Sequence, residues 1–163
     1  LASTPLRMRG VGEDLTPLPA LPPLWLVLVN PRIPVSTPQV FHALARRDNP
    51  PVPDLPGPAL RSTQALAGWL ADQTANHLAA PARVIVPMLA RVEAAIAATP
   101  GCLLARMSGS GGTHFGIYAT RAAADQAAHS LSATHPDWWI VPTSVREPAM
   151  VPADADRQSL TNS

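Results

Sequence analysis

Six consecutive residues, Ser108, Gly109, Ser110, Gly111, Gly112 and Thr113, carry three glycines and three hydroxyl groups. With so little side-chain bulk, a backbone can enter left-handed conformations and bring its N–H groups against a ligand. Successive N–H groups turned into one concavity attract an anion, most often a phosphate. Glycine and serine are also ordinary hairpin residues, and composition alone leaves both readings open. Apolar runs flank the loop, Leu103-Leu104-Ala105 before it and Phe115-Gly116-Ile117-Tyr118 after it. The loop should therefore join two strands.

Elsewhere reactive groups are sparse. The five histidines, His42, His77, His114, His129 and His135, form no HxH or HxxxH pair, and no metal ligands are expected. His114 reads as a strand residue, with no carboxylate at a suggestive spacing. The single cysteine, Cys102, excludes an internal disulfide framework and a cysteine-rich zinc site. It reads as a small buried apolar residue rather than a nucleophile. Arg7 and Arg9 read as solvated charges. A formal net charge of +1 points neither to nucleic acid nor to an anionic membrane. No apolar run approaches the ~20 residues of a membrane span, and no basic start followed by an apolar stretch marks a signal peptide. A soluble cytoplasmic protein is expected. The first residue is Leu1, so either the terminus was processed or the sequence begins inside a longer one.

The elements that must hold the loop are legible in the patterning. The length of 163 residues suits one domain. Residues 1–12 can hold the last strand of something upstream, and the proline-rich stretch 17–23 an extended connector. Trp25-Leu26-Val27-Leu28-Val29 is a continuous apolar run bounded by proline and asparagine, which predicts a buried strand. Ser36-Thr37-Pro38 gives a hydroxyl N-cap and proline at the first helical position, opening a short helix with Val40, Phe41 and Leu44 on one face. Residues 48–58 carry five prolines and predict a surface loop. A helix over 60–71 should turn Leu66, Trp69 and Leu70 inward. A longer helical stretch, 81–99, carries Val84, Ile85, Met88, Leu89, Val92 and Ile96 as a core-facing stripe, with Pro87 kinking or dividing it. Residues 120–134 predict an alanine-rich helix capped by Thr120 and stopped by Pro136. A last strand should run from Trp138 to about Val145, its tryptophan pair half core and half surface. The aperiodic residues 146–163 read as a disordered tail. Strands and helices that do not strictly alternate suggest an α+β fold, an antiparallel sheet with helices packed on one face.

Four segments carry a resemblance: RMRGVGEDLTPL at 7–18, LVLVNPRIPVSTPQVF at 26–41, NHLAAPA at 76–82 and LLARMSGSGGTHFGIY at 103–118. Together they resemble the C-terminal portion of the GHMP-type small-molecule kinases. The PVSTPQVF segment and its spacing to the glycine loop narrow this to the 4-diphosphocytidyl-2-C-methyl-D-erythritol kinases. The departures are local. His77 and Ala79 stand where the family has acidic residues, Gly112 where alanine is usual, and His114 where cysteine is common.

The resemblance implies a GHMP-kinase C-terminal-domain-like fold at 25–145, preceded at 1–24 by the end of an N-terminal kinase domain and its connector. It implies a reaction in which ATP, normally with Mg²⁺, phosphorylates the 2-hydroxyl of a cytidine-diphosphate-linked methylerythritol in non-mevalonate isoprenoid synthesis. On the same footing Thr37 matches a threonine near the sugar and diphosphate end of the substrate. Phe41 matches an aromatic that stacks on cytosine, and the loop from Ser108 to Thr113 lies near the phosphates. No catalytic residue is expected in this chain. The family's main ATP loop, its aspartate and its lysine belong upstream, so the N-terminal half of the kinase is the expected partner and the chain alone is expected to be inactive. The alternative is a stand-alone α+β module that binds a nucleotide or phosphate without catalysis.

Overall fold

The computed structural model describes residues 5–10 and 12–145. They fall into two compact units. The described part of the smaller lies within residues 5–20, and the larger is Leu21–Val145. The disordered tail expected at 146–163 lies outside the described residues.

The smaller unit is a hairpin of β1 (Leu6–Arg9) and β2 (Asp14–Pro17), antiparallel, with Leu6 opposite Pro17 and Met8 opposite Leu15. The first strand matches expectation. The second did not show in the pattern, because DLTP has no alternation and every residue of it is exposed.

The larger unit is built on a four-stranded antiparallel sheet ordered β4-β5-β3-β6, with β3 at Leu24–Asn30, β4 at Cys102–Met107, β5 at His114–Tyr118 and β6 at Trp139–Val145. Strand β3 is inner, paired with β5 through Val27 opposite Gly116 and with β6 through Val27 opposite Pro142. Its uninterrupted apolar run fits a strand with apolar partners on both faces, Val27 and Val29 in one cluster and Leu24 in another. Pro142 is tolerated because β6 is an edge strand, where a missing backbone donor costs least.

The expected α+β class is what is found, with one refinement in where the helices lie. Helices α4 (Met88–Ala97) and α5 (Arg121–Thr134) cover one face. Their Val92, Ile96, Ala124, Ala127 and Leu131 pack on Val27, Val29 and Tyr118. Helix α2 (Thr63–Gln73) lies on the opposite face, where Leu66 and Ala67 meet Leu24 and Ile117. Successive strand residues point to opposite faces, so Leu24 and Val27 cannot serve one layer, and a single-faced arrangement is ruled out. Close packing of α4 depends on Gly116. A Cβ there would lie 2.6 Å from Ile96 Cγ2.

Helix ends obey local chemistry. Ser62 accepts from the Ala65 amide at 3.1 Å, and Thr120 from the Ala123 amide at 3.2 Å, each satisfying an otherwise unpaired first-turn donor. Helix α2 starts three residues later than the pattern predicts, after a 3-10 turn at Gly57–Leu60. Pro87 divides the long helical stretch into α3 (Ala79–Ile85) and α4. The division corrects the predicted stripe. Val84 is 81% exposed, because a break at Val86-Pro87 resets the helical phase and only the α4 members keep facing the sheet. Trp138 packs against the core while Trp139 is exposed.

Candidate functional site

The glycine loop is the turn of the β4–β5 hairpin. It closes with the Ser108 amide donating to the Thr113 carbonyl at 2.9 Å and the Gly111 amide to the Ser108 carbonyl at 3.2 Å. Two of its amides are thus spent inside the turn. Among the described residues the amides of Gly109, Ser110 and Gly112 make no hydrogen bond. Gly109, Gly111 and Gly112 have φ of 55°, 118° and 80°, the left-handed region that glycine enters without a Cβ clash. Gly111 also fits tightly, since a Cβ there would lie 3.3 Å from Leu89, Met107 and Val35.

Three contacts lock the loop from outside. The Asn76 carboxamide donates to the carbonyls of Met107 at 2.9 Å and Gly109 at 2.8 Å. Its oxygen accepts from the Leu78 amide at 3.0 Å, just ahead of α3. Asn30, the last residue of β3, donates to the Thr113 hydroxyl at 3.0 Å, and its oxygen accepts from the Arg32 amide at 2.7 Å. The hydroxyls of Thr37 and Ser110 meet at 2.7 Å across 73 positions of sequence.

The Thr37 contact ties the loop to α1 (Thr37–His42). The expected side-chain cap on this helix is not made. Ser36 forms no cap hydrogen bond, and Thr37 uses its hydroxyl on the loop instead. Val40 is fully buried while Phe41 is 50% exposed. Residues four apart share a helix face, so the Phe41 ring stands one turn beyond the Thr37–Ser110 contact, open to solvent. Phe41 is therefore not a core residue here. Of the sequence-predicted residues, the structure brings Thr37 and Ser110 into direct contact, sets Phe41 one turn after Thr37 on α1, and places Ser108, Gly109, Gly111, Gly112 and Thr113 in one turn.

Beneath the loop, His114 is fully buried, and neither ring nitrogen has a hydrogen-bond partner. Burial lowers its pKa below the ordinary 6.5. A contact with the Gly112 backbone that falls short of a hydrogen bond, and the Glu93 carboxylate, offset part of this, while Arg83 adds to it. The ring is therefore neutral at pH 7. Nearby, Arg83 and Glu93 pair at 2.7 Å, joining α3 to α4 across the proline break. At the other end of the hairpin the Tyr118 hydroxyl meets Thr99 at 2.7 Å, and burial pushes the phenol up to about 12. Burial also raises the Cys102 thiol, which disfavours the nucleophilic thiolate.

Asn30, Asn76 and Arg32 were not singled out by sequence reasoning. Both asparagines lie inside the segments that carried the resemblance, but nothing in their local pattern separates a side chain that reaches a distant loop from an ordinary turn residue. Among the described residues no group of three or more His, Cys, Asp or Glu is placed to hold a metal ion, and no helix is long and apolar enough to cross a membrane.

Residues 54–137 match the family model for the C-terminal domain of GHMP kinases. The chain is 58% identical over 139 residues to a 4-diphosphocytidyl-2-C-methyl-D-erythritol kinase of Cereibacter sphaeroides, covering 84% of this chain and 49% of that protein. It is 54% identical over 141 residues to the kinase of the same name from Dinoroseobacter shibae, covering 86% of this chain and 48% of that one. A crystal structure of a 4-(cytidine 5′-diphospho)-2C-methyl-D-erythritol kinase superposes with a TM-score of 0.66 at 36% identity, over 84% of this chain and 48% of that one. A mevalonate kinase from L. major shares the fold, with a TM-score of 0.61 at 20% identity over 88% of this chain and 48% of that one. The chain spans about half the length of the curated relatives it matches.

Proposed function

The chain belongs to the GHMP kinases, and within them to the 4-diphosphocytidyl-2-C-methyl-D-erythritol kinases. From that membership we propose that it forms the C-terminal part of an ATP-dependent kinase acting on the 2-hydroxyl of 4-diphosphocytidyl-2-C-methyl-D-erythritol, in the cytoplasm, on the non-mevalonate route to isoprenoid precursors. One observation carries the reading to this chain's own residues. The Thr37–Ser110 contact joins a glycine loop with unspent amides to a helix whose exposed Phe41 ring lies one turn away.

That arrangement suits a ligand with a planar base at one end and phosphates at the other. The Phe41 face stacks on the cytosine, an interaction that contributes about 1–3 kcal/mol. The amides of Gly109, Ser110 and Gly112 and the hydroxyls of Thr37, Ser110 and Thr113 lie near the phosphates and sugar. Fixed donors of this kind hold a phosphorylated ligand in place at little cost in reorganisation when the reaction occurs. In the reaction the substrate hydroxyl oxygen bonds to the γ-phosphorus of ATP, the bond to ADP breaks, and a carboxylate takes the hydroxyl proton. We assign that carboxylate and its companion lysine to the half of the kinase outside this chain. ATP would supply the phosphoryl group, and Mg²⁺ would neutralise its developing charge. Among the described residues no group of three or more His, Cys, Asp or Glu is placed to hold the metal.

The test is an ATP-turnover assay with the cytidine-diphosphate substrate, using this chain alone and with the N-terminal half of a related kinase added in trans. No turnover alone and measurable turnover on addition are expected. Robust turnover by the chain alone overturns the division of labour. The alternative, a stand-alone binding module, predicts micromolar calorimetric binding of cytidine 5′-diphosphate together with no turnover in either arrangement.

A further inference from the structure

Arg32 is the one non-glycine among the described residues with a left-handed backbone, at φ 59°. A Cβ in that conformation crowds the following carbonyl oxygen, a penalty that glycine escapes and asparagine tolerates. The turn that holds it there is made by Asn30, whose carboxamide accepts from the Arg32 amide and donates to Thr113 of the glycine loop. Nothing in that turn uses the arginine side chain. Arg32 is exposed, and among the described residues its guanidinium forms no hydrogen bond or ion pair. Other guanidiniums near the hairpin are engaged. Arg106 donates to Thr74 and to the Leu70 carbonyl at 2.6 and 3.1 Å, and Arg83 pairs with Glu93.

The arm from residue 30 to residue 37 is therefore fastened to the loop at both ends, by Asn30 to Thr113 and by Thr37 to Ser110. Arg32 lies on that arm as a strained, uncommitted cation. The loop itself offers only neutral donors. A strained residue whose side chain takes no part in the fold around it is better explained by a ligand than by packing. Resting on the phosphate-site reading above, we propose that Arg32 is a specificity-determining residue. Its guanidinium contacts the diphosphate of a nucleoside diphosphate ligand held between the arm and the glycine loop, and selects for that charge over the nucleoside alone. Guanidinium–phosphate pairs are planar and bidentate, so lysine replaces arginine only in part.

Calorimetry on the full chain with cytidine 5′-diphosphate and with cytidine separates the outcomes, using R32G, R32N and R32K. R32G and R32N take the same turn without the steric penalty, so their melting temperatures should not fall. Cytidine 5′-diphosphate should bind them about tenfold more weakly, the loss expected for one charge-assisted contact. Its affinity should also depend less on salt. Cytidine affinity should stay unchanged, and R32K should fall between. If R32G binds cytidine 5′-diphosphate as well as the unmodified chain does, the role of Arg32 is overturned while the loop site stands. A fall in melting temperature with unchanged affinity assigns Arg32 to the fold and overturns the proposal likewise. If the unmodified chain binds no cytidine 5′-diphosphate, both the site and the role of Arg32 are overturned.

Discussion

Replacing Asn76 tests whether the loop is held in place from outside or holds itself. Its carboxamide donates to the Met107 and Gly109 carbonyls and accepts from the Leu78 amide, at 2.9, 2.8 and 3.0 Å. Each such bond contributes about 1 kcal/mol net. The Gly109 contact is exposed, so water can replace part of it, and N76A should cost about 2 kcal/mol. For a unit of this size that corresponds to roughly 6 °C in melting temperature. N76D is the sharper probe. It keeps the acceptor for Leu78 but turns a carboxylate oxygen towards two carbonyl oxygens. At pH 7 it should be less stable than N76A. Proximity to those carbonyls raises the carboxyl pKa in the folded state above its unfolded value, so the folded chain binds more protons. Stability relative to the unmodified protein should therefore recover as pH falls through the folded pKa. Urea unfolding of the three proteins at several pH values supplies the comparison, with hydrogen exchange of the loop amides as a local readout. N76D as stable as the unmodified protein at pH 7, or an N76A cost below about 0.5 kcal/mol, would refute the reasoning, since neither is compatible with three working hydrogen bonds.

The same hairpin yields two further expectations. G111A should lose about 2–3 kcal/mol, because its Cβ meets three side chains at 3.3 Å with φ at 118°, adding overpacking to backbone strain. G109A, at φ 55° in open space, should lose only about 1 kcal/mol, and equal losses in denaturant melts would contradict the packing account. His114 is buried with a folded pKa below the ordinary 6.5, so the unfolded chain binds its proton first. The stability from burying it neutral is full above pH 6.5 and is lost as pH falls below that value, by at most about 1.4 kcal/mol per pH unit. H114L should flatten this slope, and an unchanged slope would move the effect to other groups.

Much of the scaffold was legible because it rests on local rules. Strand β3 announced itself as an unbroken apolar run, α5 by its Thr120 cap, and the division of α3 from α4 by Pro87. The glycine loop was legible as a strand connection, and the three left-handed glycines are what its composition allows. Reading failed where the outcome depended on partners far along the chain. Val84 fitted the helical period, yet the period was counted through a break at Val86-Pro87 that turns α4 relative to α3. The face taken by α2 could not be read from its own residues, since Leu66 and Ala67 would suit either side of the sheet. Strand β2 had no pattern because it buries nothing.

The asparagines show a different limit. A carboxamide carries a donor and an acceptor on one short side chain. Asn30 uses one to turn its own backbone and the other to reach Thr113, and Asn76 divides its groups in the same way between Leu78 and the loop. The near half of each pattern is what any turn asparagine does, so it carries no information about the far half, 83 residues away for Asn30 and 31 or 33 for Asn76. The same ambiguity hid Arg32, since the Asx turn that strains it is assembled from Asn-Pro, a dipeptide that marks a turn wherever it occurs. What distinguishes these positions is that the loop's polar contacts pass through them. Ser108, Gly109, Ser110, Gly111 and Thr113 each hydrogen-bond to Asn30, Asn76, Thr37 or one another. The loop's conformation is therefore set by the end of β3 and the starts of α1 and α3 as much as by its glycines. Damage to a distant asparagine should consequently appear first as altered exchange in the loop and only then as global unfolding.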